Sequence, residues 1–366
     1  MSIINVMWSG GSPYASVHKV HQQILSQASP GTPVKTWLLQ HSAPACLREL
    51  GQVEALKLST RFLKGRGIWA LSRPWRNCFF RKALLKNDAR QVLIDGLGVA
   101  RVLLPALRTL PHVRAVVMFH GSTRLQCKDV RLLRQFSSEQ LTLCAVSQTL
   151  ADSISADLKL PVVTLSSMLN PHTFEQQLLP RDQARQQLGI PADTHQVFGA
   201  VGRLVDSKGF DTLLSAFAKT LTTHPDRLLI IIGEGAMRAE LEAQVKALGL
   251  QGKVLLPGYV DNVASLYRAF DWVLIPSRAE GLGLVVQEAV IAGVPILASD
   301  LPVFYEQLGE AGNYVTVGDE SAWARAIEAS DTLSTTEVAA RQHASLDPEH
   351  AWLRFRQACT TVLSGL

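Results

Sequence analysis

The sequence predicts an α/β protein built from two doubly wound parallel sheets in tandem. Three observations lead to this fold class. The chain has 366 residues, more than one hydrophobic core ordinarily serves. Short β-rich apolar runs alternate with segments of helical apolar spacing along most of the chain. Several of these runs end at glycine, as strands often do where the chain turns into a helix.

The composition is that of a globular protein, with 47% hydrophobic and 18% charged residues. No apolar run reaches the ~18–20 residues of a transmembrane helix, and the opening stretch lacks the basic region of a signal peptide. The five cysteines are scattered and odd in number, which argues against a disulfide framework or a zinc site. We therefore expect a cytoplasmic protein in a reducing compartment.

The second half of the chain alternates strands and helices regularly, which predicts a parallel sheet with helices on both faces. Asp211 is the first residue of the predicted helix 211–221 and could cap it. The predicted strands are 196–204, 227–235, 253–260, 272–277 and 295–299, and the predicted helices are 211–221, 237–250, 262–270 and 284–293.

The first half follows the same pattern less regularly. Its strand candidates are 3–8, 34–39, 92–95, 114–119, 142–146 and 162–165. We expect an N-terminal domain over 1–175, a C-terminal domain over 176–345, and a final helix over 346–366 that could return to the first domain. Open α/β sheets bind ligands at the carboxyl ends of their strands, so we expect the site there.

Two cations follow a predicted strand in "AVGRLVDSKGF". Arg203 and Lys208 lie in a loop that begins at Gly202, at the carboxyl end of the strand. A guanidinium fork and an ammonium point charge both suit a diphosphate. The alternative is a pair of solvated loop cations, and these two residues alone do not decide between the readings.

Two carboxylates enclose a glycine turn in "SRAEGLGLVVQEAV". Glu280 precedes Gly281 and Gly283, and Glu288 lies about one and a half turns into the following helix. The first amides of that helix, at Gly283, Leu284 and Val285, could bind an anion. The two carboxylates could each bind sugar hydroxyls. The alternative is one exposed loop acid and one solvated helical acid.

Taken together, these motifs resemble a known family. Residues 196–300 closely resemble the donor-binding domain of glycosyltransferase family 4, whose GT-B fold has two Rossmann-like domains facing across a cleft. The first half resembles that family more loosely. The resemblance implies that the N-terminal domain over 1–175 is acceptor-binding and that the C-terminal domain over 176–345 is donor-binding. The matching stretches are "GRLVDSKGFDTLLSAFA", "IIGEG", "LPGYV", "LYRAFDWVLIPSRAEGLGLVVQEAVIAGVPILAS", "MFHG", "CAVSQTLADSI" and "NPHTF".

The resemblance implies a retaining, metal-independent transfer of sugar from a nucleotide-diphosphate donor, with no cofactor. Arg203 and Lys208 would hold the diphosphate and stabilise its developing charge. Glu288 would bind the ribose, and Glu280 the hydroxyls of the transferred sugar. The carboxylate pair would not act as a glycosidase acid and nucleophile.

The resemblance also assigns residues outside these two motifs. Tyr259 and Val260 would contribute to the base pocket, and the Gly10–Gly11 turn would approach the diphosphate from the first domain. His120, at the end of the strand "VRAVVMFH", would lie near the reacting sugar. For a lone histidine, a structural role at the strand end is the alternative.

The charge is distributed unevenly along the chain. Residues 1–175 carry 21 Lys and Arg against 9 Asp and Glu, whereas the formal net charge of the whole chain is only +5. Residues 57–90 combine ten basic residues with interleaved aromatics, which suits an anionic bilayer or a phosphorylated acceptor better than nucleic acid. The alternative is a solvated helix whose aromatics serve the core. The residues that we expect to bind the anionic membrane or acceptor are Arg73, Arg76, Arg81 and Lys82.

We therefore predict a peripheral enzyme at the inner face of the inner membrane, transferring a hexose to a cell-envelope glycan such as lipopolysaccharide core. Its expected partners are a nucleotide sugar, a saccharide or lipid-linked acceptor and an anionic membrane. The alternatives are a sugar-nucleotide epimerase or phosphorylase on the same scaffold, and a non-catalytic sugar-nucleotide-binding or glycan-binding protein.

Overall fold

The computed structural model describes residues 2–9, 15–40, 51–65, 67–121, 123–191 and 194–364. The chain forms two compact units, which we call the first and second units. The first comprises Met1–Ser167 with Leu353–Leu366, and the second comprises Met168–Trp352. Within the described residues, no helix is long and apolar enough to cross a membrane.

The first unit contains a seven-stranded parallel sheet in the order β3-β2-β1-β4-β5-β6-β7. Its strands are β1 Ser2–Ser9, β2 Val34–Gln40, β3 Gln52–Ala55, β4 Ala89–Asp95, β5 Arg114–Phe119, β6 Leu141–Ala145 and β7 Val163–Thr164. The helices that connect them are α1 Ala15–Leu25, α2 Thr60–Lys64, α3 Arg73–Lys86, α4 Gly96–Leu107, α5 Cys127–Leu133 and α6 Gln148–Leu158.

The second unit contains a six-stranded parallel sheet in the order β10-β9-β8-β11-β12-β13. Its strands are β8 Gln196–Val201, β9 Arg227–Ile232, β10 Val254–Gly258, β11 Trp272–Ile275, β12 Ile296–Ser299 and β13 Asn313–Val315. Its helices are α7 Pro171–Glu175, α8 Arg181–Gln187, α9 Phe210–Thr220, α10 Arg238–Ala247, α11 Leu284–Ile291, α12 Pro302–Leu308, α13 Glu320–Ala329 and α14 Thr335–Leu346.

Burial explains why these segments form strands. Every residue of β9, "RLLIII", is buried, as expected of a central parallel strand with helices on both faces. The aromatic core of this unit includes Phe198 and Phe217, whose rings meet edge to face at 6.2 Å. The predicted fold class of two doubly wound parallel sheets is confirmed.

The structure differs from the sequence prediction in four elements. The strands β3 and β13 were not predicted, since both are short and lie at sheet edges. Residues 262–270 were predicted as an α-helix, but Val263–Ala269 form a 3-10 helix. The helix α9 begins at Phe210, so Asp211 lies in its first turn rather than at the N-cap position, and its carboxylate accepts a hydrogen bond from Arg278.

The last helix, α15, spans Pro348–Ser364, where the sequence predicts a helix. Its C-terminal part belongs to the first unit, where Gln91 Nε2 donates to the carbonyl of Val362 at 3.1 Å.

Each sheet reverses its strand order once, and this reversal positions the candidate sites. The first sheet reverses between β1 and β4, and the second between β8 and β11. Crevices outside the carboxyl ends of strands at such switch points are the usual ligand sites of open α/β sheets. In the second unit the loops that follow β8 and β11 lie there.

Candidate active site

Two loops meet at the switch point of the second unit. The loop after β8 runs through Arg203 to Gly209, and the loop after β11 includes Ser277 and Glu280. Gly209 has φ +66°, and a Cβ atom there would overlap the carbonyl oxygen of Pro276. Glycine is therefore required for the two loops to approach each other this closely.

The predicted cation and carboxylate meet between these loops. Lys208 Nζ forms an ion pair with Glu280 Oε1, which also accepts a hydrogen bond of 2.8 Å from Ser277 Oγ. Both charged side chains are partly shielded, at 17% and 11% exposure. Arg203 is exposed and forms no ion pair within the part of the chain that the structure describes. The site thus offers one paired and one uncommitted cation.

Arg278, which the sequence analysis did not identify, fastens the two loops together. Its backbone N–H donates to the carbonyl of Ser207 at 2.8 Å. Its guanidinium donates to Asp206 Oδ1 at 3.1 Å and to Asp211 Oδ2 at 2.6 Å. Burial raises the pKa of Asp211, but the hydrogen bond and charge of Arg278, together with hydrogen bonds from backbone amides, leave that pKa below its usual value. The side chain therefore holds the loops rather than a ligand.

The glycine turn before α11 adopts the predicted geometry. Gly283 has φ +79°, and an added Cβ would lie 2.6 Å from Cε1 of Phe304, so a larger residue cannot be accommodated. No side chain caps the helix, and its first amides near Leu284 and Val285 follow directly after the turn. Uncapped amides at a helix start can bind an anion.

Glu288 lies in the interior rather than on an open surface. Its side chain is on α11, only 4% of the residue is exposed, and Oε2 accepts a hydrogen bond of 2.6 Å from the Tyr267 hydroxyl. Burial, followed by the neighbouring charge of Glu288, raises the pKa of Tyr267 well above its usual value. The predicted contact of Glu288 with ribose remains a prediction.

Of the other predicted donor-side residues, Tyr259 is half exposed and Val260 partly buried, just beyond β10. Gly258, at the end of that strand, has φ +88°, which lets the chain turn there. Gly281 is partly buried between Glu280 and the turn. Gly10 and Gly11 lie outside the described residues.

In the first unit, His120 follows β5 and belongs to a chain of hydrogen bonds. Asn5 Nδ2 donates to Thr36 Oγ1 at 3.2 Å, so the Asn5 carbonyl oxygen faces His21 Nδ1 at 2.7 Å and accepts its proton. His21 Nε2 is then an acceptor, and His120 Nε2, 3.0 Å away, must donate to it. Sequence reasoning missed His21 and Asn5, which fix the tautomer of His120.

The charges around His120 follow from burial. Burial lowers the pKa of His120 to about 3 and, together with the two neighbouring histidines, lowers the pKa of His21 well below its usual value. Burial raises the pKa of Asp95 to about 6, opposed by a hydrogen bond from the Trp8 amide. His120 is therefore a neutral side chain whose Nδ1 is an acceptor at physiological pH.

Within the described ranges, one group of side chains could hold a metal ion. It consists of His21, Asp95 and His120, whose ligand atoms lie within 4.8 Å of one another. Both ring nitrogens of His21 already take part in hydrogen bonds, so metal binding would break the bond between the two histidines. Independence of a metal remains a prediction.

The four basic residues predicted for anion binding all lie on α3 but face different ways. Arg73, Arg81 and Lys82 are exposed, whereas Arg76 is only 5% exposed and does not lie on the outer surface. The aromatics also divide, because Trp69, Trp75 and Phe79 are exposed and Phe80 is buried. The sequence alone could not separate the two faces, because cationic and aromatic residues occupy both.

The second unit matches a known family. Residues 180–342 fit the family model described as glycosyl transferases group 1. This segment is a glycosyl transferases group 1 domain. Arg203, Lys208, Glu280 and Glu288 all lie within the group 1 domain, whereas His120 and the basic segment lie outside it.

Two curated relatives each match about half of the chain. The lipopolysaccharide core biosynthesis glycosyltransferase LpsE of Rhizobium meliloti is 34% identical over 166 residues, 44% of this chain and 47% of that protein. The uncharacterized glycosyltransferase MJ1607 of Methanocaldococcus jannaschii is 31% identical over 196 residues, 50% of each chain. The chain thus spans about half the length of these relatives.

Solved structures match over the whole chain at lower identity. Anabaena Alr3699/HepE, crystallised with UDP and glucose, has a TM-score of 0.81, with 21% identity and 100% coverage of both chains. WaaG, a glycosyltransferase involved in lipopolysaccharide biosynthesis, has a TM-score of 0.75, with 16% identity and 100% coverage of both chains. These likenesses confirm the predicted GT-B fold class.

Proposed function

We propose that the protein is a retaining, metal-independent glycosyltransferase that moves a hexose from a nucleotide-diphosphate sugar to a cell-envelope glycan of the lipopolysaccharide core type. The observation that carries the proposal is the ion pair of Lys208 with Glu280 at the switch point of the group 1 domain, with Arg203 in the same loop as Lys208. The names of LpsE and WaaG support the acceptor class.

In this proposal the two cations take the part that a metal ion plays in other transferases. Arg203 and Lys208 bind the donor diphosphate and stabilise the negative charge that develops on it as the glycosidic bond breaks. Lys208 moves from Glu280 to the diphosphate, and Glu280, still held by Ser277, accepts hydrogen bonds from the sugar hydroxyls. The amides at the start of α11 add positive potential for the diphosphate.

A thermal-shift screen of nucleotide sugars tests donor binding. A ligand at ~100 times its dissociation constant stabilises the native protein by ~2.7 kcal/mol. We expect UDP-, GDP- or ADP-glucose to raise the melting temperature of the wild type, and the Arg203→Ser variant to lose most of that shift. Arg268→Ser, which removes an exposed arginine elsewhere in the group 1 domain, should keep it. Equal shifts in both variants would contradict the proposed diphosphate site.

We also propose that the first unit docks on the anionic face of the inner membrane. Ile68, Leu71 and Trp75 are each about four-fifths exposed at 80%, 81% and 81%, and basic side chains of α3 lie beside them. Exposed apolar and basic groups together favour an anionic bilayer, with about 1 kcal/mol from each basic residue near the surface.

Replacing Leu71 and Trp75 by Ser is expected to reduce sedimentation with phosphatidylglycerol vesicles several-fold, because it removes the apolar groups that would enter the bilayer interface. Leu353→Ser removes another exposed leucine, on α15, and should leave sedimentation unchanged. Retained vesicle binding in the Leu71→Ser/Trp75→Ser variant would refute the docking surface.

A further inference from the structure

A cavity of about 560 Å³ lies in the first unit, lined by residues of α2 to α5 and by Trp8 of β1. Its charged lining consists of five basic side chains and one acidic side chain, Asp129. The basic ones are Lys64, Arg73, Arg76, Arg101 and Lys128. We call it the cationic cavity.

The one acid of the cationic cavity is already neutralised. Arg101 binds Asp129 through two parallel hydrogen bonds, from Nε to Oδ1 at 2.8 Å and from Nη2 to Oδ2 at 2.7 Å. Asp129 Oδ2 also accepts a hydrogen bond from the backbone N–H of Gln126. Burial raises the pKa of Asp129, but the hydrogen bonds from Arg101 and Gln126 and the charges of Arg101 and Lys128 together leave it below its usual value, so the carboxylate is ionised and already paired with Arg101. The other four cations form no salt bridge within the described ranges.

Two of these guanidinium groups are held in place by backbone carbonyls at the end of α2. Arg76 Nη1 donates to the carbonyl of Leu63 at 2.7 Å, and Arg73 Nη2 donates to that of Gly65 at 3.2 Å. Gly65 has φ +51°, and an added Cβ would lie 3.2 Å from Arg76 Nη1. The backbone therefore positions two like charges beside each other without an acid between them.

Arg76 is the member that most needs an anion. It is only 5% exposed, and its Nε finds no hydrogen-bond partner among the described residues. Burial, and then the charge of Arg73, lower the pKa of Arg76 below its usual value. A buried cation with an unsatisfied donor is costly unless a partner charge is supplied, and here the ligand could supply it.

We infer that the cationic cavity binds a phosphate group. Guanidinium forks match the oxygens of phosphate, and several unpaired cations favour an anion that offers more oxygens to them than a carboxylate does. The volume lies within the range of small-molecule sites, so it has room for a group attached to the phosphate, against the apolar wall formed by Trp8, Val102 and Leu132. The phosphate could belong to a phosphorylated saccharide or to a lipid headgroup. Only its assignment to the acceptor rests on the proposed transferase function.

A phosphorus NMR titration with inorganic phosphate tests the inference. We expect Arg76→Gln to weaken phosphate binding strongly, but this buried change could also impair folding. The exposed double variant Lys64→Gln/Lys128→Gln avoids that difficulty and should weaken binding on the order of tenfold through the loss of two charges. Arg81→Gln/Lys82→Gln removes two exposed charges of α3 outside the cavity and should change binding little.

Three further measurements make the result decisive. Lys208→Ala should retain the phosphate binding of the cavity even where it loses turnover, which separates this inference from the proposed function. If Lys64→Gln/Lys128→Gln also loses binding to phosphatidylglycerol vesicles, and free phosphate competes with the vesicles for the wild type, the phosphate bound by the cavity is that of a lipid headgroup. If it keeps vesicle binding, the source is a phosphorylated saccharide. Equal weakening in the two double variants, or no phosphate binding by the wild type, would overturn the inference.

Discussion

Replacing Lys208 by Ala is expected to reduce sugar transfer by ~10²–10³-fold, the usual effect of removing one group that stabilises developing charge. The variant should remain folded but less stable than the wild type, because Glu280 keeps its hydrogen bond to Ser277 while its largely shielded carboxylate loses its cation. The measurement is the rate of sugar transfer at saturating donor, with the melting temperature followed in parallel.

The same unit offers a matched control. Lys219 also forms an ion pair with a glutamate, Glu320, but at 3.3 Å on the exposed surface of α9. Lys219→Ala should leave turnover unchanged. If the two alanine variants had similar rates, Lys208 would have no special role. Donor hydrolysis by the wild type without acceptor would also exclude a non-catalytic binding protein.

The second large effect is expected at Gly209. An alanine there would require a left-handed conformation, at about 1–2 kcal/mol, and its methyl group would overlap the carbonyl oxygen of Pro276. The two loops of the active site would have to separate. We therefore expect Gly209→Ala to lower the free energy of unfolding by more than the left-handed penalty alone and to reduce turnover in the fraction that stays folded.

Gly189→Ala is the appropriate control for Gly209→Ala. Gly189 has the same φ of +66°, but an added Cβ would meet nothing within 4 Å. Denaturant unfolding of both variants separates the backbone penalty from the steric clash. Equal losses of stability would mean that the loops can move apart at little cost, contrary to the close contact between Gly209 and Pro276.

Sequence reasoning predicted most of the fold because the signals were local. The buried run "RLLIII" and the glycine loops define strands and turns by their own composition. The edge strand β3, "QVEA", lacks such a signal, because its residues alternate between exposed and half-buried rather than forming an apolar run. The segment Val263–Ala269 has helical apolar spacing, and that spacing does not distinguish an α-helix from a short 3-10 helix.

The candidate site was predicted as a list of residue types, but not as a set of pairs. Lys208 and Glu280 are 72 residues apart, so only the folded sheet reveals that they form an ion pair. Arg278 lies two residues before Glu280 and has no motif of its own; its role depends on Asp206 in the other loop and on Asp211 in the first turn of α9. Sequence reasoning missed His21 and placed Arg76 with the exposed cations of α3. Both side chains are buried, and burial decides what each of them contacts.

The pairing of Lys208 with Glu280 has a consequence for product release. A donor that attracts Lys208 to its diphosphate leaves the Glu280 carboxylate without its cation. The intact donor offers sugar hydroxyls in exchange, whereas the spent nucleotide offers none. The protein should then hold the nucleotide product less firmly than the activated sugar, and inhibition by accumulated product should be weak.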